Sequence, residues 1–344
     1  MAVEDGPPTL TDGVVTLRAW EDEDVDAAIA GQDEEIAHWF GFSTAKPTRE
    51  QQQHAVRQWR RDYTDGRRRV SFVVEAEGRP AGTVEVRDIG QSTGELSWAL
   101  YAGHRGHGYA TRAIRLLAEY AFSELGLSRL QARVEPDNVR AIRLARRSGF
   151  RNEGVLRVAR GTGGRAEAEQ YVLLARLRDD PPPGDRAGFR ALLNSFLPLK
   201  RTIAQNLIRD PEGRVLLCHP AYKDDWDLPG GVIERMESPR AAAGREVLEE
   251  LGLEVTVGPL LLADWLPPWG GWDDALCLVF DGGVYHSSLL DAAVYQATEV
   301  REARFCGAEE VRRLAADYTA RRVEAALAAL AGQGPVYTES GHPG

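Results

Sequence analysis

Cysteine is scarce in this chain: Cys218, Cys277 and Cys306 are the only three in 344 residues. They are odd in number, widely spaced and never in a CxxC pair, which excludes a disulfide framework and a cysteine zinc site. Buried free thiols in a reducing compartment are the expectation. Lysine is equally rare, at Lys46, Lys200 and Lys223, so nearly all of the 42 basic side chains are arginine. No run approaches the roughly 18–20 apolar residues that a membrane helix needs. The start Met1-Ala2-Val3-Glu4-Asp5-Gly6 has neither the basic opening nor the apolar stretch of a signal peptide. A cytoplasmic protein with no membrane partner is therefore expected. Excess positive charge is also missing. The net charge is −10, and residues 181–344 carry 24 acidic against 16 basic side chains. Such a chain is a poor general binder of nucleic-acid backbones, which need clustered Lys and Arg. Any phosphate ligand must be held locally or through a metal.

The length suggests two domains. The clearest break is Pro181-Pro182-Pro183-Gly184, which can continue neither a helix nor an inner strand. The spacing predicts domains over 9–177 and 189–331, a stiff Pro-rich linker over 178–188, and a flexible tail over 332–344. In the first domain, strands are expected near 14–18, 70–75, 83–87, 95–100, 130–134, 154–159 and 169–174. Helices are expected near 22–30, 49–62, 109–125 and 138–147. Ile114, Leu117, Ala118, Ala121 and Phe122 give the third helix one apolar stripe. The layout is α/β, with helices on a mixed, mainly antiparallel sheet. In the second domain a hairpin is expected over 202–208 and 215–219, further strands near 253–262 and 275–280, and helices over 239–251 and 308–331.

The strongest signal lies on the helix over 239–251. Ser238 is a good N-cap and Pro239 suits the first helical position, while Gly252 sits where a left-handed cap ends a helix. Glu246, Glu249 and Glu250 fall at i, i+3 and i+4, so they share one face. Val247, Leu248 and Leu251 occupy another, which can pack on a sheet. A solvated acidic face is the ordinary meaning of such a cluster, but it fits badly here. Like charges one turn apart repel by about 0.2–0.5 kcal/mol per pair, and only Arg245 stands beside them. A hard divalent cation reverses that sign, since Mg²⁺ takes a few carboxylates together with waters and phosphate oxygens.

The segment from Gly231 to Leu253 resembles the Nudix box, G-x5-E-x7-R-E-U-x-E-E-x-G-U with U aliphatic. Gly231, Glu237, Arg245, Glu246, Val247, Glu249, Glu250, Gly252 and Leu253 fill every defined position. A chance match is on the order of 10⁻⁵ or rarer. Trp226-Asp227-Leu228-Pro229-Gly230 also looks like the family's lead-in. The resemblance covers about residues 200–330. It implies an α/β/α sandwich that hydrolyses nucleoside diphosphates linked to another group. It implies Mg²⁺ or Mn²⁺ on Glu246, Glu249 and Glu250, with Glu237 supporting the metal shell and Arg245 orienting the glutamates. The catalytic set is then Arg245, Glu249 and Glu250. The base is a box glutamate or a downstream acid, for which Glu299 and Glu302 are the local candidates. Trp265, Trp269 and Trp272 could stack a base; core packing or a partner surface is the plainer alternative.

The first domain has a Gly-rich turn between a strand and the helix at 109. Glycines let a backbone approach a phosphate, and the free N–H groups of a helix start favour an anion. No Gly-Lys-Ser/Thr follows, so it is not a Walker loop. Arg105-Gly106-His107-Gly108-Tyr109-Ala110 resembles the acyl-CoA pyrophosphate loop of the GNAT acetyltransferases. Asn138 just past a strand, Ser148-Gly149-Phe150 and the opening Leu17-Arg18-Ala19-Trp20 match the same family, with the flavour of its ribosomal-protein (RimJ/RimL-like) branch. This resemblance covers about residues 9–177. It implies acetyl-CoA as co-substrate, bound by the six residues 105–110 and by Asn138, and Glu95 as the carboxylate that takes the amine's proton. Relatives often carry a Ser or Tyr on the helix after the Asn. Here those places read Ala141 and Leu144-Ala145-Arg146.

Together these resemblances imply a bifunctional cytoplasmic enzyme. One half acetylates a primary amine, on a small molecule or a protein N-terminus. The other hydrolyses a nucleotide derivative with Mg²⁺. Two alternatives stay open: a hydrolase whose first half only senses acyl-CoA, and a regulator in which both halves only bind.

Overall fold

The computed structural model describes residues 6–43, 45–66, 68–159, 168–333 and 336–344. The chain parts into two compact units, Met1–Leu197 and Pro198–Gly344. No helix among the described residues is long and apolar enough to cross a membrane. The three cysteines are free and buried.

In the first unit, β1 (Leu10–Thr11) and β2 (Val15–Arg18) lead into α1 (Asp24–Gly31), α2 (Glu34–Phe40) and α3 (Arg49–Thr64). Strands β3 (Val70–Ala76), β4 (Arg79–Gly90) and β5 (Thr93–Leu100) follow, then α4 (Tyr109–Ser123), β6 (Arg129–Val134) and α5 (Val139–Arg147). β7 (Arg151–Ala159), β8 (Ala168–Leu177) and α6 (Arg186–Phe196) complete it. The sheet runs β1-β2-β3-β4-β5-β6-β8-β7. Every pairing is antiparallel except β5 with β6. That pair joins only at Thr93↔Arg129, Gly94↔Leu130 and Glu95↔Gln131. Beyond Glu95 the two strands part, and the sheet opens as a fork. The apolar stripe of α4 explains its position. Ile114, Leu117, Ala118 and Ala121 are fully buried against Phe72, Val84 and Leu130.

In the second unit, β9 (Arg201–Arg209), β10 (Val215–Pro220) and β11 (Gly230–Val232) precede α7 (Pro239–Leu251). β12 (Leu260–Leu266), β13 (Ala275–Val284), β14 (Val300–Cys306), α8 (Ala308–Leu314), α9 (Asp317–Leu330), β15 (Tyr337–Glu339) and β16 (His342–Pro343) follow. The sheet order is β14-β10-β9-β13-β12-β15-β16, with β11 on β9. One face buries Val247 and Leu251 of α7 with Ile208, Leu216 and Phe305. The other buries Val323 and Ala326 of α9 with Leu207, Leu262 and Val279. Helices therefore cover both faces of a mixed sheet, as expected.

Several details depart from the sequence reading. The triproline does not end the first unit, because α6 packs back on β7 and Asn152 N–H donates to Ser195 Oγ (3.2 Å). The stretch expected to hang loose ends in β15 and β16. Thr338 there is fully buried, held by the carboxylate of Asp264 (2.7 Å). The expected hairpin of β9 and β10 shares the single pair Val215↔Arg209; β10 pairs along its length with β14. The helix expected over 308–331 is two, broken where the Trp226 N–H donates to Leu314 O (3.0 Å). Leu248, expected to pack on the sheet, is 47% exposed.

Candidate functional site

Two clusters of polar side chains stand out, one in each unit. In the second unit, α7 begins as its sequence dictates. Ser238 Oγ accepts from Ala241 N–H (3.3 Å) with Pro239 in the first turn, and Gly252 closes the helix in the left-handed conformation (φ +66°). Val247 and Leu251 turn into the core, and Glu246, Glu249 and Glu250 share the flank of the helix beside them, Glu246 and Glu250 half-buried and Glu249 exposed.

Arg245 is the hub of that face. Its Nε donates to Glu237 Oε1 (2.9 Å) and its Nη1 to Glu249 Oε2 (2.6 Å). Its Nη2 reaches Glu237 Oε2 (3.1 Å), Val232 O (3.2 Å) and Glu246 Oε1 (2.9 Å). These carboxylates hold the guanidinium firmly protonated, Glu237 first. In return Arg245 and the Glu234 N–H hold the Glu237 carboxyl below its usual range. Two glycines bring the backbone of β11 against the helix. Gly230 N–H donates to Glu250 Oε2 (3.0 Å). A Cβ on Gly231 would stand 2.5 Å from Glu246 Oε2, so any side chain there would push that carboxylate aside. Burial pushes the Glu250 carboxyl up to about 8, with the charges of Glu246, Glu299 and Asp227 adding to it and the Gly230 N–H opposing. Burial likewise raises Glu246 against the pull of Arg245.

Among the described residues no three His, Cys, Asp or Glu side chains converge as ready ligands, since Arg245 draws three glutamates onto itself. The donor set nevertheless fits a hard divalent ion. It is all carboxylate oxygen, and Glu246 and Glu250 are costly to ionise without a compensating cation. Glu299 lies within charge range of both Glu246 and Glu250. Glu302 does not join them: it sits on β14 opposite His219.

Sequence reasoning missed the polar layer beneath this cluster. Arg322, 1% exposed, donates from Nε to Asp264 Oδ2 (2.8 Å) and from Nη1 to Gln205 Oε1 (3.2 Å). Gln205 Nε2 and Lys223 Nζ both donate to Asp227 (2.9 and 2.6 Å). Asp227 belongs to the lead-in Trp226-Asp227-Leu228-Pro229, which was the one available signal. The three tryptophans diverge. Trp265 Nε1 donates to Asp274 (3.3 Å), Trp272 lies under the Arg201 guanidinium (4.8 Å), and Trp269 leans toward Tyr318 (6.1 Å between ring centres).

In the first unit the fork opens a cleft of about 1760 Å³. Gly106, Gly108, Ala110 and Asn138 line it, together with Trp39, Trp59, Glu85 and Tyr171. Gly106 (φ +87°) and Gly108 (φ +82°) hold left-handed backbone, which turns the chain directly into α4 with no side-chain cap on its first N–H groups. Asn138 caps α5, its Oδ1 accepting from Ala141 N–H (3.1 Å). Other expected residues serve differently. Arg105 is a clamp: it donates to Leu100 O (2.9 Å), Glu35 (2.8 Å) and Asp33 (3.0 Å), tying the turn to the start of α2. His107 stacks on Tyr109 (5.5 Å), whose hydroxyl donates to Glu77 (2.6 Å); neither side chain lines the cleft. Glu95 sits on the floor at the fork, 7% exposed. Its Oε1 accepts from Arg87 Nη2 (3.3 Å) and from Arg133 Nε and Nη2 (3.1 and 2.9 Å). Those two arginines were not foreseen.

Comparison with known proteins agrees with this division. Residues 15–151 match the model of the acetyltransferase (GNAT) domain and residues 198–327 that of the NUDIX domain. An N-acetyltransferase, p20, of Bacillus licheniformis is 34% identical over 111 residues, 31% of this chain and 62% of its own length. A MutT-like protein of Streptomyces ambofaciens is 38% identical over 63 residues, 18% of this chain and 41% of its own. The diphosphoinositol polyphosphate phosphohydrolase 2 of Rattus norvegicus is 38% identical over 78 residues, 22% and 38% of the two lengths. The chain thus spans about half the length of the curated relatives it matches. It joins a GNAT-family acetyltransferase domain to a Nudix hydrolase domain.

Proposed function

We propose that the protein is a bifunctional cytoplasmic enzyme that hydrolyses a nucleoside diphosphate-linked compound and acetylates a primary amine. One observation carries the hydrolase reading: a single helix turns Glu246, Glu249 and Glu250 to one side, beside Arg245 and Glu237, with the Gly230 N–H on Glu250. Glu246, Glu249 and Glu250 would hold Mg²⁺ or Mn²⁺, with Glu237 and Arg245 fixing their rotamers. The chemistry a divalent ion supplies when bound is polarisation of a phosphoryl oxygen and a more acidic water. Gly230 N–H keeps the Glu250 carboxylate in place. Glu299, within charge range of Glu246 and Glu250, would take the proton of the attacking water. Water adds to phosphorus, the bridging P–O bond breaks, and two phosphate-bearing products leave.

For the acetyltransferase, the left-handed Gly106 and Gly108 and the open N–H groups of α4 suit a pyrophosphate. Asn138, which lines the cleft, would meet the acyl arm of acetyl-CoA. The neutral amine attacks the thioester carbon, the C–N bond forms, the C–S bond breaks, and a proton passes to the CoA sulfur. Glu95 Oε2 accepts from the amine and aims it. The paired arginines on Oε1, with Ala141 in place of a hydroxyl, favour a second reading in which this unit binds acyl-CoA without turnover. Free, buried thiols suit a reducing cytoplasm.

The test is a panel of nucleoside diphosphate derivatives with and without Mg²⁺, alongside calorimetry with acetyl-CoA and a measurement of amine-dependent free CoA. Phosphate or nucleotide release that stops on chelation supports the hydrolase; its absence from the whole panel defeats it. Acetyl-CoA binding with CoA release supports the transferase, binding without release the second reading, and no binding defeats both.

A further inference from the structure

The carboxylate at the fork of the first sheet carries more positive charge than it can match. Arg87 stands opposite Glu95 across β4 and β5. Arg133 lies two residues beyond Gln131, where β6 parts from β5. Both reach the same oxygen: Glu95 Oε1 accepts from Arg87 Nη2 (3.3 Å) and from Arg133 Nε and Nη2 (3.1 and 2.9 Å). Two guanidiniums on one carboxylate leave a positive charge over. Arg87 spends a single N–H group there, and its Nε is buried without a partner. The two arginine side chains are 41% and 42% exposed, and both line the cleft.

The other acids that line the cleft are paired already or belong elsewhere. Glu85 gives both oxygens to Arg69 (2.8 and 2.9 Å). Glu35 is held by Arg105 (2.8 Å) and Arg140 (3.5 Å), and Glu169 accepts from the Tyr171 hydroxyl (2.6 Å). Glu135 belongs to the turn into α5, where its carbonyl accepts from Asn138 N–H (3.0 Å). Asp88, within charge range of Arg133, does not line the cleft. Among the described residues seven basic and five acidic side chains line it, in a chain whose net charge is −10. The phosphates of acetyl-CoA do not account for the two arginines. The turn that suits them is tied through Arg105 to Leu100 O (2.9 Å). Leu100 is five residues along β5 from Glu95, about 17 Å of extended strand, and the acyl arm that would cover that distance is uncharged.

We propose that the acetyl acceptor carries an acidic group, a carboxylate or a phosphate, beside its amine, and that Arg87 and Arg133 hold this group while Glu95 Oε2 takes the amine. This rests on the acetyltransferase reading and narrows it. A guanidinium suits either acid, because its fork meets two oxygens at once. An amino acid or a phosphorylated amine fits such a site. A polyamine adds positive charge where there is already a surplus, and a protein N-terminus has an amide where the acid should be. Trp39, Trp59 and Trp98 line the same cleft and suit an aromatic remainder.

The test uses the full chain with acetyl-CoA and reads free CoA. Free tryptophan, free phenylalanine and phosphoethanolamine are the acidic amines, the last separating phosphate from carboxylate. Tryptamine, phenylalanine amide, spermidine and an amidated alanyl peptide lack the acid. At least one acidic amine is acetylated with kcat/KM about tenfold or more above every acid-free amine. Arg133→Leu raises KM for that acceptor about ten- to a hundredfold and leaves the slow turnover of tryptamine where it was; Arg133→Lys recovers part of the loss. A merely structural role would lower both substrates alike. An acid-free amine acetylated as fast as the best acidic one overturns the assignment, as does an equal loss on both in Arg133→Leu. If no amine releases CoA, the transferase reading fails, and calorimetry on the CoA-bound protein decides the site. An acidic amine that binds the wild type but not Arg133→Leu supports it; no binding of any acidic amine, or tryptamine bound as tightly, refutes it.

Discussion

Single positions in the second unit answer to few contacts each, so their substitutions have separable consequences. Gly231 has no room for a Cβ because the Glu246 carboxylate lies 2.5 Å from where it would stand. Gly231→Ala should therefore move Glu246 and leave the fold intact. The expected outcome is activation by Mg²⁺ or Mn²⁺ weakened about tenfold or more, with an unchanged circular-dichroism spectrum. Asp227 answers to charge. Burial acts to raise its carboxyl, but Lys223 and Arg322 more than offset that and hold it below 3.8. A carboxyl depressed on folding gives stability that is present above 3.8 and lost as pH falls through the folded value. Asp227→Asn should cost about 2 kcal/mol at neutral pH by leaving two cations under-paired, and should flatten the loss of stability below about pH 4. Urea unfolding across that range checks both.

At the scale of elements, what the sequence made legible was whatever local chemistry decides. Ser238, Pro239 and Gly252 fixed the ends of α7, and its carboxylate face followed from spacing alone. Likewise Gly106 and Gly108 marked the turn into α4. What stayed hidden depends on partners far along the chain. Nothing near Asp264 announces that its carboxylate will receive Arg322 from α9 and Thr338 and Gly341 from the last strands (2.8, 2.7 and 2.8 Å). For the same reason β15 and β16 read as a flexible tail, and α6 (Arg186–Phe196) is divided between the expected spacer and the start of the second domain. Glu95 was visible as a strand carboxylate, but Arg87 and Arg133 reach it from β4 and β6, and only sheet register brings them there. One consequence is measurable. Removing residues 336–344 takes two donors from a fully buried carboxylate and should destabilise the second unit by about 3 kcal/mol. Differential scanning calorimetry of the shortened chain should show one transition lowered and the other unmoved.

For the whole molecule, each unit has its own sheet and its own buried cluster, and the division falls at Leu197 and Pro198. Chains 1–197 and 198–344 should each fold alone, the first binding acetyl-CoA and the second releasing phosphate or nucleotide with Mg²⁺. A cut at residue 178 should instead unsettle the first unit, because it strips α6 from β7. The most direct measurement on the full chain compares wild type with Glu250→Gln, following Mg²⁺-dependent product release from nucleoside diphosphate derivatives. A loss of about a hundredfold or more in the variant, with the fold retained, is the predicted result. Equal release from the two proteins would contradict the assignment of the α7 carboxylates to a divalent ion.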